Sequence, residues 1–315
     1  MPIAHLTPAD LKARTARAIA AATSAGRALG LDVAEPKVLH DVFSVVVHLA
    51  PSPVVVRVPV ALPPWLDGAP QIARQARELA AVSWLADRGL PVVRPSPLVP
   101  REPVQRDGFS MTFWELVDVD TSRQPDFVAE AALAADLHAA LRDYPGELPF
   151  LSPVAATVPT CLALLEENPG LLAPADLERA RREWAVLEPV LSSREGFAKA
   201  FPKVSVQPIH GDAPSYNIIR TTSGVRYADF EDVNLGPVEW DLSLLGPEGA
   251  AVYNAAAARV GVRPLDSTVL RVMDAARMLQ VVASYALVPQ LPMLAEGLAP
   301  SLQLWRTMPF AGGLG

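Results

Sequence analysis

The stretch HGDAPSYN at residues 210–217, followed by two isoleucines, decides which fold this sequence predicts. It places Asp212 and Asn217 in one loop, just ahead of a short apolar segment. Such a loop can hold a carboxylate beside a reacting hydroxyl group and turn an amide oxygen towards a metal ion. Taken alone, the stretch also fits an Asp and an Asn that only make turns beside a glycine and a proline.

A second polar cluster lies downstream. The predicted strand 225–228 follows the turn TTSG and leads into the acidic motif DFED at 229–232. Two further short motifs follow it, GP at 236–237 and WDL at 240–242. A carboxylate at the end of this strand would face the same metal ion as Asn217, because the strand after Asn217 is its hairpin partner. Asp229 is therefore a second candidate Mg²⁺ ligand.

Together these motifs resemble the signature of the aminoglycoside phosphotransferase (APH) family, a phosphotransferase enzyme family whose fold is that of protein kinases. The resemblance implies that Asp212 is the catalytic base and that Asn217 and Asp229 are the Mg²⁺ ligands. It also implies that Asp241 is a buried acid that braces the catalytic loop. His210 is expected to be structural, packing behind that loop.

The same resemblance implies a small-molecule kinase. Such an enzyme transfers the γ-phosphate of ATP or GTP, with Mg²⁺ as cofactor, to a hydroxyl group of its substrate. Phosphorylation of an antibiotic, and hence antibiotic resistance, is one role that the family implies, and phosphorylation of a metabolite is another. The sequence leaves open the choice of nucleotide and the identity of the acceptor.

The first half of the chain carries a candidate phosphate-binding cation. Protein-kinase-like enzymes place a cation on the third strand and pair it with a Glu on the next helix, and Arg57 and Glu78 stand at these places. Lysine is usual in protein kinases, whereas arginine is bulkier and binds phosphate through two hydrogen bonds. The alternative is an ordinary surface arginine and a solvated glutamate. No glycine occurs between Leu31 and Asp67, so no glycine-rich phosphate loop is expected there.

The segment FWELV at residues 113–117 resembles the hinge between the two lobes of these enzymes. The resemblance implies that backbone groups of Glu115 and Val117 bind the adenine edge. We therefore predict an N-terminal nucleotide-binding lobe at residues 1–117, which ends in the hinge. A helical C-terminal lobe with the catalytic loop and the substrate site is predicted at residues 118–315.

Hydrophobic periodicity predicts an α+β fold, in which a small antiparallel sheet precedes a mostly helical part. In the first part it predicts a helix that starts with TPAD at 7–10, a helix at 71–88, and strands at 38–49, 54–60 and 109–117. In the second part it predicts one hairpin, with apolar segments at 218–219 and 225–230, and helices at 127–142, 159–167, 175–191 and 265–286. With the family resemblance, this pattern predicts a bilobal protein-kinase-like fold.

Composition limits the partners of the chain. Half of the 315 residues are apolar and the net charge is −7, so neither nucleic acid nor an anionic membrane surface is an expected partner. No apolar run is long enough for a membrane span. Cys161 is the single cysteine, which excludes an internal disulfide and suits a reducing cytoplasm. The oligomeric state is left open.

The C-terminal part indicates a weakly charged acceptor. Residues 246–315 contain few acids, namely Glu248, Asp266, Asp274 and Glu296. Enzymes that act on polycations need clustered carboxylates, so we expect an acceptor less charged than a typical aminoglycoside. The alternative is that the apolar residues of this part only fill the core.

Two other functions compete with an active kinase. Arg57 and the missing glycine-rich loop favour a catalytically silent nucleotide-binding relative with a regulatory role, whereas the intact catalytic and metal-binding positions oppose it. The other function is a hydrolytic metalloprotein built on His210, Asp212, Asp229 and Asp232. It is disfavoured because such sites usually use more than one histidine.

Overall fold

Alternating valines build the centre of the sheet. The computed structural model describes residues 5–122, 124–212 and 214–314. Strands β2 (Ser44–Pro51) and β3 (Val54–Pro59) follow β1 (Val33–Asp41), and they bury every second residue: Val45, Val47, Leu49, Val54, Val56 and Val58. Because side chains alternate between the faces of a strand, this pattern turns one face of the sheet towards a core.

The sheet has five antiparallel strands in the order β1-β2-β3-β5-β4. Strands β4 (Val104–Arg106) and β5 (Phe109–Glu115) form a hairpin at one edge. In the pairing of β3 with β5, Val55 lies opposite Trp114 and Arg57 opposite Thr112. Arg57 therefore lies on an interior strand of the sheet rather than at its edge.

Helix α1 (Pro8–Ala28) covers the buried face of the sheet. It begins as predicted, with a capping box in which the Thr7 side chain accepts a hydrogen bond from the Asp10 N–H and Asp10 accepts one from the Thr7 N–H. Most buried residues of α1 are alanines, and their small side chains let the helix lie close to the strands. At Gly26, a Cβ atom would lie 2.5 Å from Leu49 Cδ1, so a larger residue there would require the Leu49 side chain to shift.

Helix α2 (Ala69–Asp87) joins the sheet to a hairpin in the second half of the chain, formed by β7 (Ile218–Thr221) and β8 (Gly224–Tyr227). Leu79, Val82 and Leu85 of α2 share one apolar cluster with residues of β5 and of the hairpin. The helix therefore fixes the position of the sheet relative to the hairpin.

The rest of the chain is mainly helical and packs around one large apolar cluster. Its helices are α3 (Ala131–Leu141), α4 (Ser152–Ala155), α5 (Thr157–Glu167), α6 (Pro174–Leu191), α7 (Arg194–Ala200), α8 (Gly246–Val260), α9 (Ser267–Ala283), α10 (Leu294–Gly297) and α11 (Ala299–Thr307). Strands β6 (Gln207–Ile209) and β9 (Asn234–Gly236) pair with each other in antiparallel fashion.

The structure corrects several predicted elements. The predicted strand 38–49 is two strands, because the chain reverses after β1, where the Val42 N–H donates to the Ser44 carbonyl. Strand β1 exposes most of its residues and therefore lacks the alternation that marks a strand. Helix α8 was missed because its many alanines favour a helix but give little hydrophobic contrast. The other missed elements are short: β4, α4, α7, β6, β9, α10 and α11.

The chain leaves the sheet close to the predicted lobe boundary. Strand β5 ends at Glu115, and soon afterwards Val119 forms a bridge with Thr221 of β7. The division at residue 117 stays a prediction, and residues 1–4, 123, 213 and 315 of the two predicted lobes lie outside the described residues. Among the described residues, we found no helix with the length and apolar character needed to span a membrane.

Truncation of Leu49 tests the packing of α1 on the sheet. Leu49→Ala is expected to lower the free energy of unfolding by about 2–5 kcal/mol, since the side chain is fully buried. Urea denaturation followed by circular dichroism measures the change. The control is Leu98→Ala, because Leu98 is 53% exposed and its loss should change stability by about 0.5 kcal/mol or less. Equal stabilities of the two variants would contradict this packing.

Candidate active site

The loop at residues 210–217 brings Asp212 and Asn217 together. The Asn217 Nδ2 atom donates to the Asp212 carbonyl (2.6 Å) and lies 3.3 Å from Asp212 Oδ2. Gly211 has a φ of 93°, and a Cβ atom at this position would overlap the carbonyl of Asp232. The glycine is therefore required both by the backbone conformation and by the close approach of the segment after β8.

The buried carboxylate of Asp241 holds the backbone of this loop. Its Oδ2 accepts from the His210 N–H (2.9 Å) and its Oδ1 from the Gly211 N–H (2.8 Å). His138 donates to Oδ2 through Nε2 (3.0 Å) and contacts the Tyr253 hydroxyl through Nδ1 (2.8 Å). Burial opposes ionisation of Asp241, but the hydrogen bond from His138 and further donors hold its pKa below the usual value. Asp241 is thus an ionised anchor for the loop.

The His210 side chain connects the loop to the end of β8. Its Nε2 donates to the Ala228 carbonyl (2.9 Å), and its Nδ1 accepts from the Asp212 N–H (3.3 Å). The residue is fully buried, and its ring packs against Phe230 with the centroids 4.7 Å apart. Both ring nitrogens are therefore occupied, which leaves neither for a metal ion.

Arg57 is the centre of an ion-pair network between the sheet, α2 and the segment after β8. Its Nη2 lies 2.5 Å from Glu78 Oε2, and its Nη1 lies 2.5 Å from Asp229 Oδ1 and 3.0 Å from Glu231 Oε2. Burial opposes its charge, but the surrounding carboxylates keep the pKa of Arg57 above its ordinary value. Arg57 is therefore a largely buried and paired cation, in contrast to the alternative of an ordinary surface arginine.

The acids of this network lie in different environments. Glu78 is 1% exposed, and burial raises its pKa to about 8 despite the attraction of Arg57. The Asp229 side chain is 40% exposed, so it remains accessible to a ligand. The protein around it still desolvates its carboxylate in part, which raises the pKa of Asp229. Asp229 also has a φ of 60°, an unusual conformation that turns the chain sharply after β8.

Arg74, which lies one helical turn before Glu78 on α2, was not among the predicted site residues. Its Nη2 lies 2.6 Å from Asp232 Oδ1 and 3.3 Å from Glu231 Oε1, and its Nε donates to the Glu231 carbonyl (3.1 Å). Residues four apart on a helix share one face, and this spacing was the only signal in the sequence. Arg74 and Arg57 together pair with the acids of the segment 229–232.

Arg277 on α9 was also missed. Its Nη1 lies 3.3 Å from Asp212 Oδ1, its Nη2 donates to the Gly211 carbonyl (3.2 Å), and its Nε donates to Ser243 Oγ (3.3 Å). The guanidinium lies over the ring of Trp240, 3.9 Å from the centroid. Helix α9 also contains Arg271, so the sequence carried no signal that singled out Arg277. Arg277 contacts both the backbone and the carboxylate of the predicted catalytic loop.

Two cavities adjoin these residues. The first measures about 330 Å³ and contains much of the predicted nucleotide site; its lining includes Val55, Arg57, Glu78, Val82, Trp114, Glu115, Val117, Ile219, Asp229 and Phe230. The Glu115 N–H already donates to the Arg94 carbonyl (2.9 Å), which removes that one group from ligand binding. For the described residues, no group of three or more His, Cys, Asp or Glu side chains is arranged as a metal site.

The second cavity measures about 200 Å³ and adjoins the same segment 229–232 through Glu231 and Asp232. Its polar lining residues include Arg74, Asp212, Glu231, Asp232 and Gln280. The structure therefore separates the predicted site residues into two groups. Arg57, Glu78 and Asp229 line the first cavity, whereas Asp212 lines the second.

Comparison with known proteins identifies the family. The profile of the phosphotransferase enzyme family, APH, matches residues 45–277, which is well over half of the chain. A search of curated proteins found no match. Many solved structures have a similar fold.

An amicoumacin kinase, solved with AMP-PNP, Ca²⁺ and Ami, is 14% identical, with 98% of each chain covered and a TM-score of 0.62. A choline/ethanolamine kinase family protein from Mesorhizobium loti is 18% identical, with 96% of this chain and 98% of the other covered and a TM-score of 0.58. A microcompartment-associated aminopropanol kinase is 16% identical, with 93% and 99% covered and a TM-score of 0.58.

At these identities the neighbours show the fold alone, and they confirm the predicted α+β, protein-kinase-like architecture. The family match covers the sheet from β2 onwards, the loop 210–217 and most of α9. It confirms the resemblance inferred from the sequence motifs. This chain belongs to the phosphotransferase enzyme family and is a phosphotransferase with an alcohol group as acceptor.

Proposed function

We propose that this protein transfers the γ-phosphate of ATP or GTP to a hydroxyl group of a small molecule, with Mg²⁺ as cofactor. The observation that carries the proposal is the pair of cavities that share the segment 229–232, with Asp229 and Phe230 lining the first and Glu231 and Asp232 lining the second. A nucleotide in the first cavity and an alcohol in the second would meet at this segment. Such an arrangement suits direct phosphoryl transfer, in which catalysis is mainly positioning and charge stabilisation.

The first cavity supports nucleotide binding. Its apolar residues, such as Val55 and Val82, suit the faces of a purine base. The carbonyl of Glu115 and the N–H of Val117 would bind the edge of the base, and Arg57 would bind the phosphates. In this proposal, residues 1–117 form the nucleotide-binding lobe, and residues 118–315 carry the catalytic loop and the substrate site.

Asp229 and Asn217 would hold the Mg²⁺ ion. Asp229 offers an accessible carboxylate, and Asn217 uses its amide nitrogen for Asp212, which leaves its amide oxygen for a cation. Mg²⁺ is commonly bound by one or two protein oxygens and completes its shell with water and phosphate oxygens. When bound, it neutralises charge on the β- and γ-phosphates.

Asp212 would act on the acceptor. Its side chain is 47% exposed, and its two carboxylate oxygens lie 3.3 Å from Arg277 Nη1 and 3.3 Å from Asn217 Nδ2. The alcohol would give its proton to Asp212 while its oxygen attacks the γ-phosphorus. One O–P bond forms, the bond to the β-phosphate oxygen breaks, and the nucleoside diphosphate leaves. No covalent phospho-enzyme is required.

Arg57 would exchange one of its carboxylate partners for phosphate groups when the nucleotide binds. Its Nη1 bonds the Asp229 oxygen that the metal ion would need. The nucleotide phosphates can replace Asp229 as the anionic partner of Arg57, while Glu78 keeps hold of Nη2. The arginine would thereby stay paired in both arrangements, as a buried cation requires.

A second candidate is a catalytically silent nucleotide-binding relative with a regulatory role. The ion pair of Arg57 with Asp229 favours it, because it occupies a predicted metal ligand. The metalloprotein alternative is not supported, since both ring nitrogens of His210 are hydrogen-bonded and Asp232 is paired with Arg74. Turnover of any alcohol distinguishes the active kinase from the silent relative.

The setting proposed for the reaction is the cytoplasm, with an antibiotic or a metabolite as the acceptor. The net charge of −7 supports a small-molecule acceptor over nucleic acid or an anionic membrane surface. The single cysteine, Cys161, is buried, which agrees with a reducing compartment.

Loss of Asp212 tests the proposed base. Asp212→Ala is expected to lower turnover by about 10²- to 10⁴-fold, the usual contribution of a general base. Its thermal stabilisation by Mg-ATP should match that of the wild type, because Asp212 does not line the first cavity. Release of nucleoside diphosphate measures turnover, with the exposed Asp143→Ala as control. Unchanged turnover in Asp212→Ala would refute the assignment.

Loss of Asp229 tests the metal and nucleotide site. A nucleotide at about a hundred times its Kd stabilises a protein by about 2.7 kcal/mol, so Mg-ATP or Mg-GTP should raise the Tm of the wild type. Asp229→Ala, and removal of Mg²⁺ from the wild type by a chelator, should each abolish most of this rise. Asp143→Ala again serves as control. Equal stabilisation of Asp229→Ala and wild type would contradict the site.

A further inference from the structure

The second cavity has an extended apolar wall. Its members come from the turn between β1 and β2, from the segment between β3 and α2, and from the helical turn after α9: Phe43, Pro59, Ala61, Leu62, Pro63, Trp65, Leu66 and Leu287. Leu66 is 3% exposed and Leu287 5% exposed, so both are firmly packed. A molecule that reaches Asp212 through this cavity would lie against hydrocarbon.

The carboxylates of the cavity are already paired with arginines. Asp232 and Glu231 pair with Arg74, at 2.6 and 3.3 Å, and Asp212 contacts Arg277 at 3.3 Å. The side chains of both arginines are about nine-tenths buried. An ammonium group that binds Glu231 or Asp232 would have to displace the guanidinium of Arg74, which would leave a buried cation without a partner. An ammonium group at Asp212 would lie beside the cation of Arg277 and be repelled by it. These acids therefore give no binding site for a polycation.

Gln280, a further polar residue of the cavity, is also occupied. Gln280 accepts from Arg277 through Oε1 (3.1 Å) and donates to the Pro153 carbonyl through Nε2 (2.9 Å). The half-exposed carboxylate of Asp212 has capacity for a new hydrogen bond, and the hydroxyl groups of Ser44 and Thr157 also line the cavity. One hydroxyl group of the acceptor finds a partner at Asp212, whereas polar groups that face the apolar wall would lose hydration without replacement.

We infer that the acceptor is an uncharged alcohol with a mainly apolar body. Its hydroxyl group would donate to Asp212, and its body would pack against Trp65, Leu66 and Leu287. This inference rests on the proposed function and deepens it by naming the chemical class of the acceptor. It also assigns the choice of acceptor partly to the segment between β3 and α2, away from the helical part.

Matched alcohols that differ only in charge provide the test. One pair is 3,3-dimethylbutan-1-ol and choline, and the other is cyclohexylmethanol and piperidin-4-ylmethanol; in each pair the second member is the cation of nearly the same shape. We expect kcat/KM to be at least about tenfold higher for the neutral member, since it keeps the arginine pairs intact. Alcohol-dependent release of nucleoside diphosphate and the mass of the phosphate ester are the readouts.

Each outcome of this comparison is decisive. Equal or faster turnover of the cations would overturn the acceptor class and leave the kinase function standing. Failure of the neutral alcohols with an enzyme that Mg-ATP or Mg-GTP stabilises would overturn it as well. Absence of any stabilisation by either nucleotide would refute the proposed function, and with it the inference.

A change at Trp65 tests the wall itself. Trp65→Glu places a carboxylate without an arginine partner in the cavity, so the preference for the neutral member of each pair should fall by about tenfold or more. Trp65→Gln removes the same packing without adding charge and should slow the neutral alcohol without helping the cation. Leu98→Glu adds the same charge at an exposed position outside both cavities and is the matched control. An unchanged preference in Trp65→Glu, with nucleotide stabilisation retained, would contradict the inference.

Discussion

The loop 210–217, the proposed catalytic loop, depends on one buried carboxylate. Asp241 accepts the backbone N–H groups of His210 and Gly211, while the neighbouring Trp240 donates to the Gly211 carbonyl (2.6 Å). The peptide groups on both sides of Gly211 are therefore held by residues of a single turn. A buried charge is tolerated only when its hydrogen bonds are satisfied, so the anchor has essentially one geometry. Because Asp212 follows directly, fixing this backbone also fixes the group that faces the acceptor.

A second constraint concerns the acids and arginines around residues 229–232. Arg57 from the sheet and Arg74 from α2 pair with acids of this segment, and Arg277 from α9 pairs with Asp212 of the loop 210–217. Each arginine is largely buried, and none can leave its carboxylates without a new anionic partner. In the proposed reaction, the phosphate groups of the nucleotide would take over Arg57. The proposed acceptor cavity would offer an apolar wall and the accessible carboxylate of Asp212.

Local motifs in the sequence were sufficient to predict the loop 210–217, the hairpin after it and the helix α2, because short-range spacing determines them. The fold class followed from the family resemblance and from the change between strand and helical periods. Arg74 and Arg277 could not be found in this way, since their roles arise only when α2 and α9 approach the loop in three dimensions. Strand β1 was misjudged for a related reason: its exposed side chains carry no pattern, and its pairing partner defines it.

The short turn 229–232 forms part of the wall of both cavities, with Asp229 lining the first and Asp232 lining the second. Phe230, inside the turn, is buried against His210, which ties the turn to the loop 210–217. A ligand that steadies the turn from one side also steadies it for the other. Thermodynamic linkage then makes the effect reciprocal, and each substrate strengthens the binding of its partner by the same factor. Such a wall favours the assembly of a complete ternary complex over futile hydrolysis of a nucleotide bound alone.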